Sequence, residues 1–381
     1  MTPRRLGAIL FAVVLVAAVS VPLALASRSG APESDSQSTS QDQASPATAA
    51  DILTQADLGK LLFFDKRLSG NNATSCSSCH LPDKAWTDGE ALSTGYTSVE
   101  YLRNTPTLIN ASKMPLLDWD GRFEGSDMAT VVRDHIAEAH FMNLDGRLLV
   151  ERMLQVPVYA ESFERLFGGE VSYAKVLNSI AAFLGTLEST DNPYIDFKAG
   201  DDAALTATEQ AGLTLFEGKA GCSACHGGDL LSDGGLNVTG VPANPAIFSE
   251  PDRHITFRRF FKQFAVGNFA DLRADPGRFA LTHDEADRGS FRTPSLLEVA
   301  RTAPYMHNGI FTTLEDVVRF YDAGGGDVPN KDERLLPLNL TDVEIRDLVA
   351  FLQKLGSDEP PFSAPEPSDL PPYELRTLGA N

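Results

Sequence analysis

Basic residues are in short supply. Lysine and arginine number 32 against 52 aspartates and glutamates, a formal net charge of -20. Such a surface excludes nucleic acid and anionic lipid as natural partners and suits soluble, basic or small neutral ones. Cysteine is scarcer, four in 381 residues, which leaves no disulfide scaffold once the pairs below are assigned. Tryptophan occurs only as Trp86 and Trp119. Strand-type alternation is scattered, and one long apolar run exists, Leu6 to Ala26. It follows Arg4 and Arg5 and closes on Ala24-Leu25-Ala26, the pattern of an export signal over residues 1–26, with retention as an N-terminal anchor the alternative. The body of the protein is therefore expected outside the cytoplasm, in the periplasm.

What is present is a repeat that uses every cysteine. Cys76-Ser77-Ser78-Cys79-His80 recurs as Cys222-Ser223-Ala224-Cys225-His226. Two thiols three positions apart can each add to a vinyl group of one porphyrin, and the next residue offers an imidazole to its iron. A zinc knuckle or a redox dithiol needs no histidine in both copies, so two covalent c-type haems are expected. Gly59-Lys60-Leu61-Leu62-Phe63 precedes the first motif and Gly212-Leu213-Thr214-Leu215-Phe216 the second. Arg103-Asn104-Thr105-Pro106-Thr107-Leu108 follows the first and Arg292-Thr293-Pro294-Ser295-Leu296 the second. One order in both halves points to a duplicated unit.

The expected organisation is a disordered linker over 27–50, an N-terminal domain over 51–200, a C-terminal domain over 201–356 and a proline-rich tail over 357–381. The longer interval from His226 to Thr293 implies an insertion between Gly227 and Phe291, which reads as loop-rich. Helical periodicity covers Leu148 to Gln155, Tyr173 to Glu188 and Thr206 to Glu217. Thr341 to Leu355 opens on a capping box. The fold class is mainly α, two cytochrome c-like haem domains packed together, with few short strands. Asp127 to His135 and Thr313 to Tyr321 match at a Val-Val-Arg core, which puts His135 and Tyr321 at equivalent places.

Phe64 to Ser69, Ala85-Trp86-Thr87-Asp88-Gly89, Trp119-Asp120-Gly121-Arg122 and Thr302 to Gly309 resemble landmarks of the bacterial di-haem cytochrome c peroxidases and their relative MauG, in family order over about residues 51 to 356. The resemblance implies a peroxide-reacting haem on His80 and an electron-transfer haem on His226. It also implies Trp119 as the relay between them and a calcium ion held by Asn104, Thr302 and Pro304. Hydrogen peroxide would be the substrate and a small cytochrome c or cupredoxin the donor. A homodimer is compatible.

Departures from the family pattern matter as much. Tyr96 stands where many members have a capping histidine, and Tyr321 where typical members have a methionine ligand, as in MauG. Val131, His135 and Phe141 stand where a glutamine, a proline and a glutamate are usual. Peroxide cleavage needs a group that takes a proton and returns it. His135 can do so, with Glu138 and His140 as fallbacks about a helical turn further on. His135 could instead bind the iron or be a bystander. Tyr321 as a phenolate ligand would lower the potential of its haem, or it could pack without bonding. Trp86 reads as core, His254 and His283 as surface or structural, and His307 as packing near the second haem. Two further hypotheses stand beside peroxide reduction: a MauG-like oxidase of a partner protein, and a non-enzymatic electron carrier or redox sensor with both irons six-coordinate.

Overall fold

Side-chain caps set most of the long helices. Thr54, Asp127, Thr206, Thr313 and Thr341 each accept a hydrogen bond from the backbone N–H three residues on, satisfying donors that the first helical turn leaves unpaired. The computed structural model describes residues 46–96, 100–357 and 370–372. The export signal, most of the linker and most of the tail lie outside the described residues. Among the described residues no helix is long and apolar enough to cross a membrane.

The helices, in chain order, are α1 (Gln55–Phe64), α2 (Met128–Ala137), α3 (Gly146–Leu154), α4 (Pro157–Phe167), α5 (Tyr173–Leu184), α6 (Pro193–Lys198), α7 (Ala207–Glu217), α8 (Ala246–Ser249), α9 (Pro251–Gln263), α10 (Phe279–Thr282), α11 (Leu314–Asp322) and α12 (Asp342–Leu352). Two antiparallel ribbons complete the regular structure: β1 (Leu116–Leu117) with β2 (Phe123–Glu124), and β3 (Leu236–Val238) with β4 (Ser290–Arg292). The mainly α class with few short strands is what the sequence led us to expect.

The repeated glycine has a physical cause. Where α1 crosses α5, a Cβ on Gly59 would overlap the Ser179 carbonyl, and where α7 crosses α12, one on Gly212 would overlap the Asp347 carbonyl. Each lobe is built on a helix pair whose backbones touch, which only a residue without a Cβ allows. The first pair anchors a core that includes Leu58, Leu62, Phe63, Ile180 and Phe183. The second anchors one that includes Leu213, Phe216, Leu348 and Phe351.

A third core straddles the two. The segment between His226 and Phe291 is not simply loop-rich, because it carries α8 to α10. Arg253, Thr256, Phe257, Phe260 and Phe261 of α9 are buried at helical spacing. These phenylalanines pack with Ile247 and Phe279 against Leu92, Tyr101 and Leu102 of the first lobe. The prolines and glycines flanking α9 had masked a helix that Pro251 starts at its first turn.

A polar seam fastens the lobes beside this core. Arg103 donates from Nε and Nη2 to the Asp275 carboxylate at 2.6 and 3.0 Å, and from Nη1 to Asp120 at 2.6 Å. Arg122 donates to Asp120 at 2.9 and 2.6 Å. Burial alone would raise both carboxyls, but the guanidiniums outweigh it and hold Asp120 and Asp275 below the usual carboxylate range. The Asn104 N–H donates to the His307 carbonyl at 2.8 Å, and Arg278 donates to the Gly121 carbonyl.

Candidate functional site

Each Cys-x-x-Cys-His segment is one tight turn, Cys76–Ser78 and Cys222–Ala224. The His80 N–H donates to the Cys76 carbonyl at 3.0 Å and the His226 N–H to the Cys222 carbonyl at 2.8 Å. All four thiols are free. His80 Nδ1 lies 2.9 Å from the Trp86 carbonyl, and His226 Nδ1 lies 3.1 Å from that of Leu231. A carbonyl can only accept, so Nδ1 carries the proton and Nε2 keeps its lone pair. Burial pushes His80 down to about 4, against the pull of the Trp86 carbonyl, and lowers His226 too. Both imidazoles are neutral and oriented, which is the state a metal ligand requires.

Beside His80 opens a cavity. Cys76, Cys79 and His80 line it together with apolar side chains such as Leu108, Leu117, Met128, Ile180 and Leu184. An apolar slot with two free thiols and a neutral imidazole in its wall fits a flat tetrapyrrole joined by thioether bonds and ligated by His80.

Val131, His135 and Phe141 all line this cavity. The His135 Nδ1–H donates to the Val131 carbonyl one turn back at 2.9 Å, and Nε2 lies 3.8 Å from Asp118 Oδ1. The imidazole stacks on Phe141 at 4.6 Å. Glu138 and His140 are placed differently. They pair with each other at 2.8 Å, that bond holds Glu138 low, and neither lines the cavity. The reason is that α2 ends at Ala137, so the extra helical turn that would have aimed them inward is not formed. Tyr96 is also absent from the lining and lies against the Gly70 backbone.

Trp119 is held from both lobes. Its Nε1–H donates to the Asn104 carbonyl at 2.8 Å, and its own carbonyl accepts the Arg292 N–H at 2.8 Å. Trp86 is buried among Phe63 and Phe183 at 5.5 and 5.8 Å, and its carbonyl orients His80. The Asn104 amide donates to the Glu90 carbonyl at 2.8 Å, the Thr302 hydroxyl donates to the Val299 carbonyl at 3.2 Å, and Ala303-Pro304 is cis. Among the described residues no group of three or more His, Cys, Asp or Glu side chains is arranged to hold a metal ion.

In the second lobe, burial and then the Cys222 and Cys225 thiols raise the Tyr321 pKa, which sets the phenol beside that haem motif. His135 on α2 thus lines the cavity of its own Cys-x-x-Cys-His segment, and Tyr321 on α11 lies near the thiols of the other. His307 stacks on Phe291 at 3.7 Å and is pushed down to about 4 by burial. His254 lies edge-on to Phe248, and His283 is exposed beside Phe279.

Sequence reasoning did not assign Asp118, Tyr101, Arg103 or Arg292, all of which line the first cavity. A signal existed for two of them, since an arginine stands just ahead of Thr-Pro in both halves.

Comparison with known proteins adds the following likenesses. Residues 54–203 match the family model described as di-haem cytochrome c peroxidase. The cytochrome-c peroxidase IdrP2 of Pseudomonas sp. (strain SCT) is 44% identical over 336 residues, 88% of this chain and 89% of that protein. The methylamine utilization protein MauG of Methylorubrum extorquens is 33% identical over 332 residues, 87% of this chain and 85% of that one. Among solved structures, a MauG-like protein associated with microbial copper homeostasis is similar, with a TM-score of 0.69 and 29% identity over 86% of this chain and 96% of that chain.

Proposed function

This chain belongs to the di-haem cytochrome c peroxidase family, oxidoreductases that act on peroxide, and we propose that it reduces hydrogen peroxide to water with electrons from a small donor protein. Two c-type haems follow from the family. Held by His80, the first would supply the redox-active iron for peroxide reduction. His80, oriented by the Trp86 carbonyl, would be the ligand to its iron, and Cys76 and Cys79 would be its points of attachment. Cys222, Cys225 and His226 would hold the second, with the Tyr321 oxygen as a further candidate ligand to its iron.

One observation carries the reading: a histidine of fixed tautomer stands in the wall of the first cavity. The Val131 carbonyl keeps the His135 proton on Nδ1, so Nε2 is free to take a proton from peroxide and return it to the departing oxygen. The Asp118 carboxylate at 3.8 Å stabilises the imidazolium in between. Trp119, fixed from both lobes, carries electrons from the second site to the first. The acidic surface selects a donor with a basic face. Export to the periplasm and a calcium ion at Asn104, Thr302 and Pro304 belong to the same proposal. Chelation that slows interhaem transfer would support the calcium, and unchanged transfer would remove it.

The test is an electron paramagnetic resonance spectrum of the oxidised protein combined with turnover on a reduced small cytochrome. One high-spin and one low-spin ferric signal with peroxide-dependent turnover is the expected result. Two low-spin signals with no peroxide binding would overturn it.

Tyr321 in place of a thioether favours a second reading, in which the oxidising equivalents leave through the side chain of a partner protein. Radical formation in a partner, without turnover on the cytochrome, would select that reading.

A further inference from the structure

Of the buried arginines near Trp119, Arg103 and Arg122 are neutralised by carboxylates and Arg292 is not. Arg103 meets Asp120 and Asp275, and Arg122 meets Asp120 and, at 3.3 Å, Asp118. Arg292 is equally buried, 7% exposed, yet no carboxylate lies within ion-pair distance of it among the described residues. Its guanidinium has one protein acceptor there, the Asp118 carbonyl, reached from Nε at 3.3 Å. Its two terminal nitrogens have none. Burial pushes it down to about 10, with only partial relief from Asp118, whereas Arg103 and Arg122 are raised by their carboxylates. An unpaired charge out of water is costly, so a fold that keeps one has an anion to set against it.

The place of Arg292 identifies that anion. The residue belongs to β4 of the second lobe but lines the cavity that contains His80, Cys76 and Cys79 in the first. The group that fills this cavity brings its own carboxylates. We propose that Arg292 pairs with a carboxylate of the tetrapyrrole attached to Cys76 and Cys79, so that the first haem site is completed by a residue of the second lobe. This rests on the haem assignment and not on the peroxide reaction.

Two consequences follow from the contacts. The guanidinium lies 6.0 Å from the Trp119 ring, where an unneutralised cation would disfavour positive charge on the indole. Paired with a carboxylate, it leaves Trp119 easier to oxidise. Two residues further on, the Pro294 backbone lies near the His226 imidazole. The same short segment therefore touches both sites.

The experiment compares wild type, R292Q and R292K as holo-proteins by spectroelectrochemistry and by resonance Raman of the haem carboxylate bending band. In R292Q the first haem's midpoint potential is expected to fall while the second's stays, because removal of a nearby cation favours ferric iron. The first haem's bending band is expected to shift. R292K should keep the potential and still shift the band, since a point charge cannot reproduce the planar fork. A first haem unchanged in both potential and band in R292Q overturns the proposal. So does a wild-type potential that moves with added inorganic phosphate, which would mean that a free anion occupies the place. If R292Q does not fold, an unshifted band in R292K is decisive against the proposal. None of these measurements uses peroxide, so loss of the proposed function and loss of this contact are told apart.

Discussion

The two haem-binding lobes agree on one side of their sites and differ on the other. On the proximal side each has a glycine at a helix crossing, a tight Cys-x-x-Cys-His turn and an imidazole whose Nδ1 proton is held by a backbone carbonyl. On the distal side the matched helices α2 and α11 present different chemistry from one helical position. His135 is tied to the Val131 carbonyl and faces Asp118, whereas the Tyr321 hydroxyl has no hydrogen-bond partner among the described residues. In the proposed function one side keeps a group that can carry a proton, and the other would offer an oxygen to a metal. In that proposal the repeat keeps what positions the cofactor and varies the chemistry of a single helical position.

That comparison can be broken most severely at its common base. Gly59→Val and Gly212→Val each force a side chain into a facing backbone, and each is expected to cost about 3 kcal/mol or more, enough to lose one lobe. Denaturant unfolding followed at the haem absorbance checks this, and a tolerated valine at either place would mean that the crossings are not equivalent. The distal contrast comes next. His135→Gln is expected to slow the reaction with peroxide by about 10²- to 10⁴-fold, measured by stopped flow. Tyr321→Phe should leave that rate within about tenfold while raising the second haem's potential. Equal effects of the two substitutions would erase the proposed division.

The smallest effect concerns the seam and pH. Asp120 and Asp275 have folded-state pKa values below their unfolded ones. Their contribution is therefore fully present above the unfolded value of about 3.9 and is lost as pH falls through the lower folded values. Stability attributable to the seam should stay flat from neutral pH down to about 5 and decline only in stronger acid. Asp275→Asn should flatten that acid limb in a thermal-melt series against pH.

Much of this was legible in the chain. The haem motifs, the repeated Gly-x-x-Leu-Phe and the Val-Val-Arg helices are local signals whose spacing is set by covalent chemistry or helix period. What stayed hidden was long-range or terminal. Arg103 and Asp275 lie 172 residues apart, and nothing local in either announces the other. Glu138 and His140 were misplaced because the end of α2, not its periodicity, decides where they point. Helix α9 was obscured because the glycines and prolines around it read as loop, although Pro251 opens it at its first turn.

The aromatic ridge of α9 bears on whether either half could live alone. Phe257, Phe260 and Phe261 are encoded with the C-terminal half but roof over Leu92, Tyr101 and Leu102 of the other. Splitting the gene near residue 200 would strip a lid of oily side chains from one fragment and leave the other with a sticky flank. Separately expressed halves should therefore aggregate unless they are produced together.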